Sequence, residues 1–211
     1  MEMDMAASID GTLFKEIMAE MREHTHKRLT NLPAAGESEE ENHLGDYVPS
    51  QRLHEGYSRL RSVPLTVSND DQLDDAIQQI KATGNSGART AANNSQSGIT
   101  NALNTYRGDR DDDEFRSKME SISNRAQDDF RKAIDATYDK AQQVAQSLSP
   151  SQQNAVISLL VNLESALQAI WNNIFSLIKD AVRDIGKYIQ GAPSNIDDLF
   201  AKIAAYIKSV F

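Results

Sequence analysis

From Asp109 to Ser149 the chain contains neither glycine nor proline, and Phe115, Met119, Ile122, Ala126, Phe130, Ala133, Thr137, Ala141, Val144 and Leu148 recur at spacings of three and four. Only an α-helix gathers such positions on one side. Roughly 39 residues at 1.5 Å each make a rod of ~58 Å. A rod with one apolar stripe is stabilised mainly by what packs on that stripe, so partner helices are required.

Ser149-Pro150-Ser151-Gln152 follows at once. Ser at the N-cap, Pro at the first helical position and Gln at the third predict a capped helix start. A second stripe runs through Val156, Leu160, Leu163, Leu167, Ile170, Ile174, Leu177, Ala181 and Tyr188, broken where Asp184 falls on the seam. The helix is expected to end near Gln190, with Gly191 as its cap and Pro193 blocking continuation. Two helices of matched length joined by one short turn predict an antiparallel hairpin. A last amphipathic helix is expected from Ser194, with Ile196, Leu199, Phe200, Ile203, Ile207 and Val210 as its apolar face. Asp197 and Asp198 at its start and Lys208 at its end suit the helix dipole. The expected fold class is therefore all-α, an elongated helical bundle built on a long antiparallel helical hairpin.

The first half reads as less regular. Residues 1–33 hold an N-terminal helix from about Ile9 to Leu29, ended by Pro33; residues 34–50 form an acidic linker with Glu37, Glu39, Glu40 and Glu41. Few contacts are expected to cross that linker, so loss of everything before Gly36 is expected to leave the hairpin folded. Residues 51–108 read as short helices and a flexible polar loop. The run from Gln51 to Leu65 is ambiguous. Ser68-Asn69-Asp70-Asp71 starts a helix carrying Leu73, Ala76, Ile77 and Ile80, expected to stop at Gly84. Residues 84–98, rich in Gly, Asn and Ser, read as the loop. The hairpin and last helix occupy 109–211.

The formal charge is −9. From Ser151 onward five basic residues balance five acidic ones, so the excess lies before the second long helix. An acidic chain suits no nucleic-acid partner, since phosphate is read mainly by Lys and Arg. The absence of cysteine excludes disulfides and a thiolate nucleophile. The start, MEMDMAASID, lacks the apolar core of a secretory signal, which predicts a cytoplasmic protein or one exported by a signal-less route.

Several short patterns touch on chemistry. Ser8-Ile9-Asp10-Gly11-Thr12-Leu13-Phe14 resembles the first motif of the haloacid-dehalogenase-like phosphatases, with Asp10 as its second aspartate. That resemblance implies a phosphatase, but Ser8 holds the nucleophile position, no buried strand precedes it and no doubly wound pattern follows. Ser8 or Asp10 is instead expected to cap the first helix. Asp109, Asp111, Asp113, Ser117 and Glu120 resemble the ligand spacing of an EF-hand loop. Glu114 stands where that loop turns on Gly and Arg116 where it carries an apolar residue, so an acidic first helical turn is expected. His24, His26, His43 and His54 are expected to be solvated. His24 and His26 point apart on a helix, and Glu20 with His24 gives only two ligands, too few for a metal site. Asn93-Asn94-Ser95 is a formal glycosylation sequon without a signal peptide to make it relevant. No nucleophile elbow, Walker or dinucleotide fingerprint is present. The expectation is no enzyme, no cofactor and no metal.

Ala155–Ile178 is the unusual stretch, with Glu164 as the one charge in 24 residues. Its amides and hydroxyls, from Ser158 to Ser176, gather largely on one side, which suits an interfacial helix or one wall of an oligomeric pore better than a lone span. The functional expectation is a non-enzymatic, membrane-active or lipid-associating helical protein, with pore formation as one mode of action; the alternative is a soluble self-assembling scaffold or helical adaptor using the same apolar stripes between subunits. The expected contact residues are Leu160, Leu163, Leu167, Ile170, Trp171, Ile174, Phe175, Leu177, Phe200, Ile203 and Ile207. The expected partners are membrane lipid or a helical protein, with homo-oligomers favoured.

Overall fold

The computed structural model describes residues 11–30, 51 and 71–211. These hold five helices and no strand: α1 (Gly11–Thr30), α2 (Asp71–Asp109), α3 (Asp112–Ala145), α4 (Pro150–Arg183) and α5 (Ile185–Val210). The all-α expectation holds. Helices α2 to α5 form a ring of neighbours, α2 on α3, α3 on α4, α4 on α5 and α5 back on α2, with α2 also reaching α4. Helix α1 lies outside this ring and, among the described helices, packs on α3 and α4. The acidic linker, the Ser8 and Asp10 positions, His43 and His54 lie outside the described residues, as does most of the ambiguous run from Gln51 to Leu65.

Helix α2 departs most from expectation. It spans 39 residues without a break, straight through the segment whose composition predicts a loop. The reason is packing. Ala76, Ile80, Gly84, Ala88, Ala91, Ala92, Ser95, Ile99, Ala102, Leu103 and Tyr106 are buried and keep helical spacing. The glycines mark close approach rather than freedom. A Cβ built on Gly87 would stand 2.6 Å from Ala133 Cβ and 2.9 Å from its Cα, and one on Gly98 would stand 3.1 Å from Ile122. The polar residues find partners on the helix itself, with the Thr83, Thr90, Ser95 and Thr105 hydroxyls each donating to the carbonyl four residues back. Asn94 Nδ2 crosses to Asp129 of α3 at 2.8 Å. Each Gly in a helix costs about 1 kcal/mol relative to Ala; the dispersion gained by a near-contact backbone offsets it.

The two long helices of this pair meet at a two-residue joint. Asp109 is the last residue of α2, and Arg110 takes a left-handed φ of 58°. Asp111 then caps α3, accepting from the Glu114 N–H at 2.9 Å. Tyr106 Oη donates to Asp112 at 2.5 Å across the joint. The most extensive helix pairing is thus α2 on α3. The sequence had placed the principal hairpin one joint later, between α3 and α4. Those two share the expected capping box, with Ser149 N–H donating to Gln152 Oε1 at 2.6 Å and Pro150 at the start, and they meet again where the Phe130 and Trp171 rings lie 5.7 Å apart.

Helix α4 ends at Asp184, well before Gly191, and the Gly191-Ala192-Pro193 triplet lies within α5. The break falls where a carboxylate interrupts the apolar seam. Asp184 leaves helical geometry at φ −134° and ψ 63°, although its N–H still reaches Asp180 O at 2.9 Å. Helix α5 then runs antiparallel to α2, with Asp197 accepting from Gln96 at 3.2 Å and the Phe211 ring against Gly84.

Candidate functional site

Helix α1 enters the groove between α3 and α4 on an apolar edge. Phe14, Ile17, Met18, Met21 and Leu29 are buried in the same core cluster as the other four helices. They follow the helical period, so polar positions fall on both flanks of the edge. Arg22 and His26 are four apart and share one flank; His24 and Arg28 are four apart and share the other. The two flanks meet different helices.

On the α3 side, Arg22 Nε donates to Asp135 Oδ1 at 2.5 Å and its Nη1 to Asp139 Oδ1 at 2.8 Å. His26 Nε2 reaches the same Asp135 oxygen at 2.7 Å. Partial burial pushes the Asp135 carboxyl up, but the hydrogen bonds and charges of Arg22 and His26 together bring it below its ordinary value. On the α4 side, His24 Nδ1 lies 3.1 Å and Arg28 Nη1 3.4 Å from Glu164 Oε1. Between the flanks, Thr25 Oγ1 donates to Met21 O at 2.9 Å and lies 3.2 Å from Tyr138 Oη. Gln127 Nε2 donates to Leu29 O at 2.9 Å.

Glu164 is buried, with its side chain 9 % exposed. Burial raises its carboxyl above the usual value, against the opposing charge and hydrogen bond of Arg28. Burial also lowers His24 from 6.5 to about 4, helped by the charges of Arg28 and Lys27. His24 is therefore neutral at pH 7, and its contact with Glu164 is a hydrogen bond rather than an ion pair. Arg28, which is about one-third exposed, supplies the one full countercharge to Glu164 in this cluster. A buried carboxylate held this way is a costly element, tolerated while its partners stay in place.

Ten of the eleven residues expected to meet lipid or a partner are buried: Leu160, Leu163, Leu167, Ile170, Trp171, Ile174, Leu177, Phe200, Ile203 and Ile207. Phe175 is half-buried, its ring 5.7 Å from that of Trp171. They are part of the bundle's own core. Trp171 Nε1 is buried with no hydrogen-bond partner among the described residues. The outward face of α4 carries Ser158, Val161, Asn162, Ser165, Asn172, Asn173 and Ser176, all exposed and all uncharged. Ser165 and Asn173 donate back to the carbonyls of Val161 and Ala169, at 3.2 and 2.8 Å.

His24 and His26 are corrected from solvated residues to partners in the α1 contact. The EF-hand spacing falls on the end of α2, the joint and the first turns of α3, where helix from Asp112 onward leaves no calcium-loop turn. The described residues contain no group of three or more His, Asp or Glu side chains placed to hold a metal. No helix among them is long and apolar enough to cross a membrane. No family model, curated protein or solved structure matches the chain.

Sequence reasoning missed the pairing of α1 with Glu164 and Asp135. Two signals pointed towards it: a lone charge inside an apolar helix needs a partner, and two histidines two apart must serve different neighbours.

Proposed function

We propose that this chain is a membrane-active helical bundle, closed in the form described, that acts by turning the apolar faces of α4 and α5 towards a lipid surface. The observation that carries the reading is the charge pattern of α4. Across Ala155–Ile178 the outward face is uncharged, the inward face is apolar, and the one ionisable group, Glu164, is covered by α1. With α1 in place the helix is an ordinary core element. Without it, α4 is a helix of bilayer length with one carboxyl to neutralise. Its amides and hydroxyls suit a headgroup boundary, or an assembly in which they line a wet interior. This is an interfacial or assembled mode, in keeping with the absence of a lone spanning helix among the described residues.

A second reading has its own support. Ser158, Asn162, Ser165, Ala169, Asn172 and Ser176 alternate spacings of four and three along the outward face of α4. A small, uncharged heptad stripe fits against a second helix, so a self-assembling scaffold would dock there. Vesicle experiments separate the two. The membrane reading expects the purified protein to float with liposomes and release an entrapped dye. Vesicles of varied composition left unbound and intact, together with a discrete oligomer by sedimentation, would replace it with the scaffold reading.

A further inference from the structure

We propose that α1 is a releasable strap over the α3–α4 groove, and that mild acid loosens it through the His24–Glu164 contact. The inference deepens the membrane-active reading by giving the bundle a trigger. The release itself occurs in solution and is measurable without lipid, so the two can fail separately.

Helix α1 touches two of the other four described helices, whereas α4 touches four. Its docking is completed by charged and titratable groups on both flanks. From α4, Glu164 faces His24 and Arg28. From α3, Asp135 and Asp139 face Arg22 and His26, and Tyr138 faces Thr25. On α1 itself, Lys27 pairs with Glu23 at 2.7 Å and contributes charge near His24, while Glu20 lies one turn before His24. Each carboxylate that receives α1 is thus matched to an arginine and, for Glu164 and Asp135, to a histidine as well. Helices α2 and α3 are joined differently, by small side chains at near-contact distance and by a two-residue joint. Loosening α1 therefore leaves the α2–α3 pair intact.

The direction with pH follows from proton counting. Docked, His24 takes a proton only near pH 4; released, it takes one near 6.5. As pH falls from about 6.5 the released state binds more protons, so docking weakens. Glu164 acts the other way. Its raised value lets the docked state take a proton before the released state does, and this offsets part of the His24 effect. Asp135 adds to release only in stronger acid, because its docking contribution is lost as pH falls through a lowered value. The two groups therefore act in opposite directions: His24 drives the release, and Glu164 opposes it.

Hydrogen exchange read by mass spectrometry on the full chain, corrected for the intrinsic exchange rate, tests this. Protection of the α1 amides is expected to fall on going from pH 7 to pH 5, by at most roughly tenfold per pH unit, while the α2 and α3 amides keep theirs. In His24→Asn the α1 protection is expected to be flat over that range. In Glu164→Gln, which keeps a hydrogen-bond acceptor but removes the offset, the fall is expected to be steeper than in the wild type. Wild-type α1 protection that stays constant from pH 7 to pH 5, or that falls together with α2 and α3, overturns the strap. Should His24→Asn not fold, a Glu164→Gln slope no steeper than that of the wild type overturns the assigned trigger.

Discussion

Helices α2 and α3 hold each other by shape, whereas α1 is held in its groove by apolar side chains completed by charge. At the first contact Gly87 meets the Ala133 backbone, and the hydrogen bonds of Asn94 to Asp129 and of Tyr106 to Asp112 add to that close fit. At the second, two arginines and two histidines bridge to carboxylates on two helices. Shape complementarity is insensitive to pH and salt; paired charges are sensitive to both. One molecule thus joins a permanent contact to a conditional one, and the conditional contact covers the single charge of the Ala155–Ile178 stretch of α4.

The strongest challenge to this contrast is steric. Gly87→Leu forces a branched side chain against the Ala133 backbone, and overpacking of that kind costs about 3 kcal/mol or more. Urea denaturation is expected to show a loss of that size across the whole bundle. A fully stable variant would mean that the α2–α3 contact is looser than described.

Met18→Ala sharpens the other side. Met18 is fully buried in α1, and such truncations cost about 2–5 kcal/mol. Here the loss should fall on α1 docking, so region-resolved exchange should show α1 opening while α2 and α3 stay protected. Equal loss in every helix would erase the distinction.

Salt and acid make smaller changes. Raising ionic strength should lower the protection of α1 more than that of α2, because Arg22, Asp135 and Asp139 are partly exposed. Acid should act in two stages, through His24 from about pH 6.5 towards about 4 and through Asp135 only below its ordinary range. A single transition at one pH, shared by all helices, would contradict the two-contact account.

The smallest expected change lies on the outer face of α4. Asn172→Lys with Ser176→Glu should alter thermal stability by only ~0.5 kcal/mol per site, since both positions are exposed. Dye release should nevertheless fall, because charge on an inserting surface is costly. Unchanged release would remove that face from the mechanism.

How much was legible follows from which signal each element carries. The stripes of α3 and α4 consist of large apolar residues, and the Ser149 capping box is a local motif, so sequence alone placed them. Helix α2 was lost at Gly84 because its buried face is made of Gly, Ala and Ser. Such residues signal flexibility when nothing packs on them and intimacy when a helix does, and only the partner's Ala133 and Ile122 distinguish the cases. The boundary at Asp184 was visible as a fault in the seam, but Gly191 and Pro193 carried the more familiar stop signals. At the candidate site, Glu164 announced itself as the lone charge of its stretch. Its partners could not be read, because the 136 residues separating Arg28 from Glu164 place their meeting beyond any local pattern.

The central claim is that the apolar core face of α4 leaves the bundle to meet lipid. Trp171 is the chain's one tryptophan, buried at 1 % exposure on that face. Its fluorescence in the presence of vesicles whose acyl chains carry bromine reads the claim directly. In the closed bundle the indole is out of reach of the quencher. Quenching of Trp171 by brominated but not by ordinary vesicles, stronger at pH 5 than at pH 7, is the predicted result. Vesicles that bind the protein or leak while Trp171 stays unquenched at both pH values would show that α4 keeps its core face inside, and would contradict the account.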